Sequence, residues 1–110
     1  MPAAPSLLKG TLDVLVLKAL AREPMHGFEI TVWIEAHSEG FLAVDDGALY
    51  QALHRMEARS LVRAEWGITD NNRRARYYSM TPEGRRHLRR AAADLVRYAH
   101  AVVAILAEGR

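Results

Sequence analysis

The chain has no cysteine among its 110 residues. That excludes a disulfide framework, a thiolate metal site and a thiol nucleophile, and it fits a reducing compartment. It also lacks a long apolar run. The stretch from Leu12 to Ala21 is interrupted by Asp13 and Lys18 and falls well short of the roughly 20 residues that a membrane-spanning helix needs. No leader peptide is visible, so a cytoplasmic protein without a membrane partner is expected. The seven glycines form no phosphate-binding loop, and neither a Ser/His/Asp signature nor a carboxylate dyad is apparent, which argues against an enzyme. His26, His37, His54, His87 and His100 are scattered, with no i, i+3 or i, i+4 histidine pair to chelate an ion. No metal and no other cofactor is therefore expected.

What is present is the composition of one globular unit: half the residues are hydrophobic and a quarter charged, enough for a modest core. The net charge of +2 is unevenly spread. Residues 1–46 carry three basic against seven acidic groups, a balance of −4, and residues 47–110 carry twelve against six, a balance of +6. Positive charge gathered in one half suggests a polyanionic partner, although a solvated arginine-rich surface would look the same.

The most informative stretch is Asp45 to Val62, DDGALYQALHRMEARSLV. Leu49, Leu53 and Met56 recur at i, i+4 and i+7, which puts an apolar stripe on one side of a helix. Ala48, Tyr50, Gln51, His54, Arg55 and Arg59 fall on the other side. Asp45 or Asp46 can cap the start, because a side-chain oxygen satisfies the orphan N–H groups of the first turn. The polar face presents a phenol, an amide, an imidazole and guanidiniums, groups suited to base edges and phosphates.

Before this helix the spacing predicts two others. One is capped by Ser6 and runs to about Arg22, with Leu8, Leu12, Leu15, Val16, Ala19 and Leu20 on a broad apolar face; Glu23–Pro24 ends it, since proline disfavours helix in the residue before it. After a turn at Met25-His26-Gly27, the second helix covers Phe28 to His37, with Ile30, Trp33 and Ile34 inward. Ser38 to Val44 is a loop bent at Gly40 and pinned to the core by Phe41, Leu42 and Val44. Two short helices followed by a polar-faced third match a helix-turn-helix order.

Then the period changes. Leu61–Trp66 and Ala75–Met80 read as strands, joined by a polar tip over Gly67–Arg74 that contains Arg73 and Arg74. At least one of the alternating Tyr77 and Tyr78 belongs to the core. A basic hairpin directly after the third helix reads as a wing. Thr81-Pro82-Glu83 opens the last helix, with threonine as cap, proline in the first turn and an acid at the positive end of the dipole. Leu88, Ala92, Leu95, Ala99, Val102 and Leu106 are spaced 4, 3, 4, 3, 4, a coiled-coil seam. Val96, Val103 and Ile105 widen it beyond what a free surface helix exposes, so a second copy of the chain is the natural cover.

These stretches together resemble the PadR family of bacterial transcriptional regulators in its short form, with a single C-terminal helix. The resemblance runs through LLKGTLDVLVLKAL, HGFEI, DDGALYQALHRMEARSLV, EWGITDNNRRARYY and MTPEG, nearly the whole chain in the right order. It implies a homodimeric winged helix-turn-helix repressor on an inverted repeat of double-stranded DNA, its last helix crossing to the partner subunit. The expected fold is mainly α with a small β-hairpin, a DNA-binding winged helix over residues 1–80 and a dimerisation helix over 81–110. Three departures stand out: Ala48 where Ser or Thr is common, Gln51 where proline is common, and Ser60 in place of the glycine that ends the third helix, where a left-handed conformation costs a residue with a side chain.

The DNA-contacting set expected from residues and resemblance is Tyr50, Gln51, His54, Arg55, Arg73, Arg74, Arg76 and Lys9. The dimer interface is expected from Leu8, Leu12 and Leu15 of the first helix with Leu88, Leu95, Ala99, Val102 and Leu106 of the last. The rival reading is a winged helix that binds protein instead of DNA; it requires an apolar patch where the DNA reader presents arginines. A small-molecule effector is left open. Some family members stack planar compounds on an aromatic residue of the last helix, where this chain has Tyr98, its tryptophans being Trp33 and Trp66.

Overall fold

The chain's first described helix, α1 (Thr11–Leu20), starts immediately after Gly10, whose φ of 86° is left-handed. Helix cannot run through such a residue, so the helix expected from Ser6 to Arg22 is confined, within the described part, to Thr11–Leu20. The computed structural model describes residues 10–109; the expected cap Ser6 and the expected contacts Leu8 and Lys9 lie outside them. Val16, Leu17, Ala19 and Leu20 are buried, and α1 touches α2, α3, α4 and β2. It is the hub of the core.

α2 (Gly27–His37) is capped by His26, which the sequence reading left in a turn. The His26 imidazole accepts from the Glu29 N–H at 3.4 Å while the Glu29 carboxylate accepts from the His26 N–H at 3.1 Å, a reciprocal pairing that satisfies two orphan donors. Ile30 and Ile34 are buried as expected, and Trp33 is half-buried, its ring stacked on His37 at 4.0 Å. At the far end the Glu39 N–H donates to Ala36 and the Gly40 N–H to Glu35, with φ of 54° and 80° at Glu39 and Gly40. The left-handed bend therefore takes in Glu39 as well as Gly40. Phe41 does not pin the loop, being 67% exposed. Successive side chains of an extended segment point to opposite faces, and here Val44 is buried and Leu42 partly so, which leaves Phe41 on the outside.

α3 (Asp46–Ala58) is capped by Asp45, whose carboxylate accepts from the Ala48 N–H at 2.9 Å. Leu49, Ala52, Leu53 and Met56 are buried, the stripe the periodicity predicts. The helix closes with the Ser60 N–H on Glu57 and the Leu61 N–H on Met56, and Ser60 has a φ of 62°. A serine thus occupies the left-handed position that glycine fills without cost.

The strands β1 (Val62–Ile68) and β2 (Arg74–Met80) pair antiparallel from Val62↔Met80 to Ile68↔Arg74. Both differ from the expected bounds, and the tip shrinks to residues 69–73. Thr69 and Arg73 exchange backbone and hydroxyl hydrogen bonds there, and Asn72 adopts a φ of 62°. Those added bonds let the ladder continue beyond Trp66. A further backbone pair ties Met25 to Tyr78, the two N–H groups donating at 3.0 and 2.8 Å, so the hairpin is fastened to the start of α2. Of the two tyrosines, Tyr78 is the core residue.

α4 (Pro82–Leu106) begins at a tight joint. The Thr81 hydroxyl accepts from the Gly84 N–H at 2.9 Å and donates to the Ser60 carbonyl at 2.7 Å. A Cβ at Gly84 would collide with the Leu61 carbonyl, which explains why MTPEG needs its glycine. Leu88 is buried in the chain's own core, and Ala92 and Leu95 are half-buried. Beyond them the helix runs free: Val96, Val103, Ile105 and Leu106 are 52%, 62%, 73% and 78% exposed. Among the described residues no helix is long and apolar enough to cross a membrane.

Candidate nucleic-acid interface

The outer face of α3 meets the hairpin across a groove of about 980 Å³, lined on the helix side by Tyr50 and His54 and on the hairpin side by Trp66, Arg73, Arg74 and Arg76. Tyr50 and His54 are one helical turn apart and therefore share a face. Tyr50 is half-exposed and its ring lies over Gly27, where a Cβ would strike the phenol. Gly27 thus lets the first turn of α2 sit directly beside α3, and HGFEI acquires a packing reason for its glycine.

Gln51 and Arg55 are also exposed on α3, but they stand outside the groove. The Arg55 guanidinium donates to the Asp13 carboxylate of α1 at 2.8 Å. The Arg55 side chain is mostly exposed while Asp13 is mostly covered, so the pair sits at the rim of the chain; its consequence is orientation, because α1 holds a side chain expected to read DNA.

The three expected hairpin arginines have three different settings. Arg73 is exposed at the tip. Arg74 lies over the Trp66 ring, 4.6 Å from its centroid, an arrangement that keeps a guanidinium in place while leaving its N–H edge free to donate. Arg76 is half-buried, paired with Glu57 of α3 at 3.1 Å, and 5.9 Å from the rings of both Trp66 and Tyr78. Its Nε is buried without a partner among the described residues. Arg76 therefore ties the hairpin to α3, its charge balanced inside the chain. Burial raises the pKa of Tyr78 and outweighs the Arg76 guanidinium, which lowers it; Glu57 and Tyr50 add to the rise. Tyr77 is raised too, by desolvation and then by Glu29 and Asp70, and its ring meets His26 edge-on at 5.3 Å. Both phenols stay neutral hydrogen-bonding groups at physiological pH.

Of the residues expected at a dimer interface, Leu12 and Leu15 are half-buried on α1, which packs against α4. Leu88 is consumed by the chain's own core, Leu95 is half-buried, and Ala99, Val102 and Leu106 are exposed. Tyr98 is 56% exposed on the same free half of α4. Among the described residues no three His, Asp or Glu side chains gather to hold a metal ion.

Sequence reasoning passed over Asp13, His26, Glu57 and Trp66. Only Trp66 left a signal. Period-two alternation places it with Ile68 on one face of the hairpin, and the strand register adds Arg74 and Arg76 to that face. The His26 cap is local, made with Glu29 three residues on; Asp13 and Glu57 act through contacts between separate elements.

Residues 16–90 match the transcriptional regulator PadR-like family. The chain is 36% identical over 85 residues to the transcriptional regulator Rv3488 of Mycobacterium tuberculosis, covering 74% of this chain and 76% of that protein. It is 41% identical over 85 residues to a transposon-encoded protein of Streptomyces fradiae, covering 77% of this chain but spanning only 23% of that protein's length. Among solved structures, a PadR family transcriptional regulator from Eggerthella lenta superposes with a TM-score of 0.74 at 30% identity, covering 93% of this chain and 86% of the other. Bacillus subtilis PadR, solved in complex with operator DNA, superposes with a TM-score of 0.65 at 17% identity, covering 74% of this chain and 46% of that one. With three helices, a two-stranded wing and a long final helix in that order among the described residues, the chain belongs to the PadR-like family of transcriptional regulators.

Proposed function

We propose that this chain is a sequence-specific repressor that binds an inverted-repeat operator as a homodimer. One observation carries the reading: Tyr50 and His54 on the outer face of α3 and the wing arginines line a single groove, as a major-groove reader with a flanking phosphate contact requires. The relative solved with operator DNA shares this fold. In this reading Tyr50, Gln51, His54 and Arg55 approach base edges, while Arg73 and Arg74 approach phosphates or the minor groove; Lys9 adds to the phosphate contacts. Arg76 positions the wing. The dimer forms through α1 and the free half of α4, so that two α3 helices engage two half-sites.

The competing protein-binding role needs an apolar patch beside α3. Exposed Phe28 and Trp66 do border the groove, but they are separate side chains set among His54, Arg73, Arg74 and Arg76, and Val32 lies in a recess on the outer face of α2. Gel shifts on genomic inverted repeats at low salt test the proposal. A specific complex that weakens steeply with salt is expected, since phosphate neutralisation releases counterions. Absence of any specific complex defeats it.

A further inference from the structure

Trp66 is 61% exposed, which forfeits one of the largest burial gains available to a side chain. It stands opposite Arg76 in the register of the hairpin, on the face that looks into the groove beside α3. The guanidinium of Arg74 lies over its ring at 4.6 Å and that of Arg76 at 5.9 Å. Arg76 is in turn anchored on Glu57 of α3. A continuous chain of contacts thus leads from α3 through Glu57, Arg76 and Trp66 to Arg74, and ends at a guanidinium whose N–H edge has no carboxylate partner among the described residues.

We infer that Trp66 is itself a DNA-contacting residue. Its indole face packs on a deoxyribose of the backbone running between α3 and the wing, its N–H donates to a phosphate oxygen, and its stacking presents Arg74 to the adjoining phosphate. An indole combines the apolar face and the donor that a sugar–phosphate backbone calls for. A guanidinium already stacked in place loses less freedom on binding than a freely rotating one. Arg73, at the tip, is not among the guanidiniums stacked on an aromatic ring. This inference rests on the DNA-binding reading above, and its test separates the two.

The chain has two tryptophans, so Trp33→Phe leaves Trp66 as the sole indole reporter. A short duplex of random sequence at low salt is a sufficient probe, because backbone contacts do not depend on sequence. Anisotropy of a fluorescein-labelled copy reports complex formation independently. Trp66 emission is expected to quench and shift to the blue with an unlabelled copy, saturating at the same stoichiometry. Trp66→Ala should weaken binding roughly five- to thirty-fold, as loss of an aromatic platform does, with the salt slope nearly unchanged because no charge is removed. Arg74→Ala should lower that slope by about one, and Trp66→Phe should recover most of the lost affinity. Complex formation with unchanged Trp66 emission overturns the assignment of Trp66 and leaves the regulator reading standing. No complex by anisotropy at low salt overturns both.

Discussion

Two surfaces are left uncovered by the chain's own packing, the outer face of α3 and the distal half of α4, and their chemistry is opposite. On α3 the exposed groups are Tyr50, Gln51, His54 and Arg55, which water satisfies well. Their exposure carries no free-energy cost, and only the convergence of Tyr50 and His54 with the wing arginines marks the face as a site. On α4 the exposed groups include Val96, Val102, Val103, Ile105 and Leu106, which forgo about 25 cal/mol for each Å² left in water. Exposure of the first kind is compatible with a free monomer; exposure of the second kind calls for a covering partner. In the proposed reading, a nucleic acid meets the polar face and a second copy of the chain covers the apolar one.

The sharpest way to break this contrast is to give the α4 face the chemistry of the α3 face. Val102→Asp should remove the dimer, since burying an unpaired carboxylate costs several kcal/mol. Light scattering at micromolar concentration should then report the mass of a single chain. DNA affinity should collapse with it, because two half-sites engaged together gain from effective concentration and a lone subunit does not. A mass still twice that of the chain would place the interface elsewhere.

Editing the basic side is milder. Replacing Arg73 and Arg74 together with alanine should lower affinity for every sequence and flatten the salt slope by roughly 1–2 units. An unchanged slope would mean that the wing points away from DNA. Arg55→Ala should cost about 1–3 kcal/mol and relax specificity at one base position per half-site; a uniform loss across sequences would reassign Arg55 to the backbone. The pair that Arg55 makes with Asp13 sharpens that experiment. If Arg55 must leave Asp13 to read a base, Asp13→Asn should bind operator at least as tightly as the parent chain, because DNA no longer competes with a carboxylate. Weaker binding would make Asp13 the residue that aims Arg55.

The smallest expected effect touches neither surface. Ser60→Gly should stabilise the fold by about 0.5–1 kcal/mol, the relief of a left-handed residue less the added freedom of glycine in the unfolded chain. Thermal melts should show the rise with DNA affinity unchanged. A fall in melting temperature would mean that the unfolded-state entropy outweighs the strain.

Ser60 illustrates what was legible in advance. Its left-handed conformation followed from the resemblance, which puts a glycine at that helix end, while a cap at Asp45 or Asp46, the stripe of Leu49, Leu53 and Met56, and the Thr81 cap followed from the local pattern. Each depends on residues a few positions apart. Less legible was Gly10, whose left-handed turn an apolar periodicity reads straight across. Phe41 was misplaced because hydrophobicity says that a side chain prefers burial but not which side of an extended loop faces the core. The hairpin bounds slipped because Thr69, Asn72 and Arg73 supply hydrogen bonds that alternation of apolar residues does not register.

By itself, the sequence determined the order of elements, the caps of α3 and α4 and the two contrasting faces, because helix and strand periodicity, capping chemistry and charge placement act over one or two turns of chain. The tertiary structure alone decided which polar groups meet. Arg55 finds Asp13 across 42 residues and Arg76 finds Glu57 across 19; Met25 pairs with Tyr78 to fasten the wing to α2. Nothing in the local pattern encodes these meetings, since each depends on how whole elements dock and on which rotamer a long side chain can then adopt. Docking is also what ties Arg76, an expected DNA contact, to Glu57 of α3, and what set Trp66 in the groove between wing and α3.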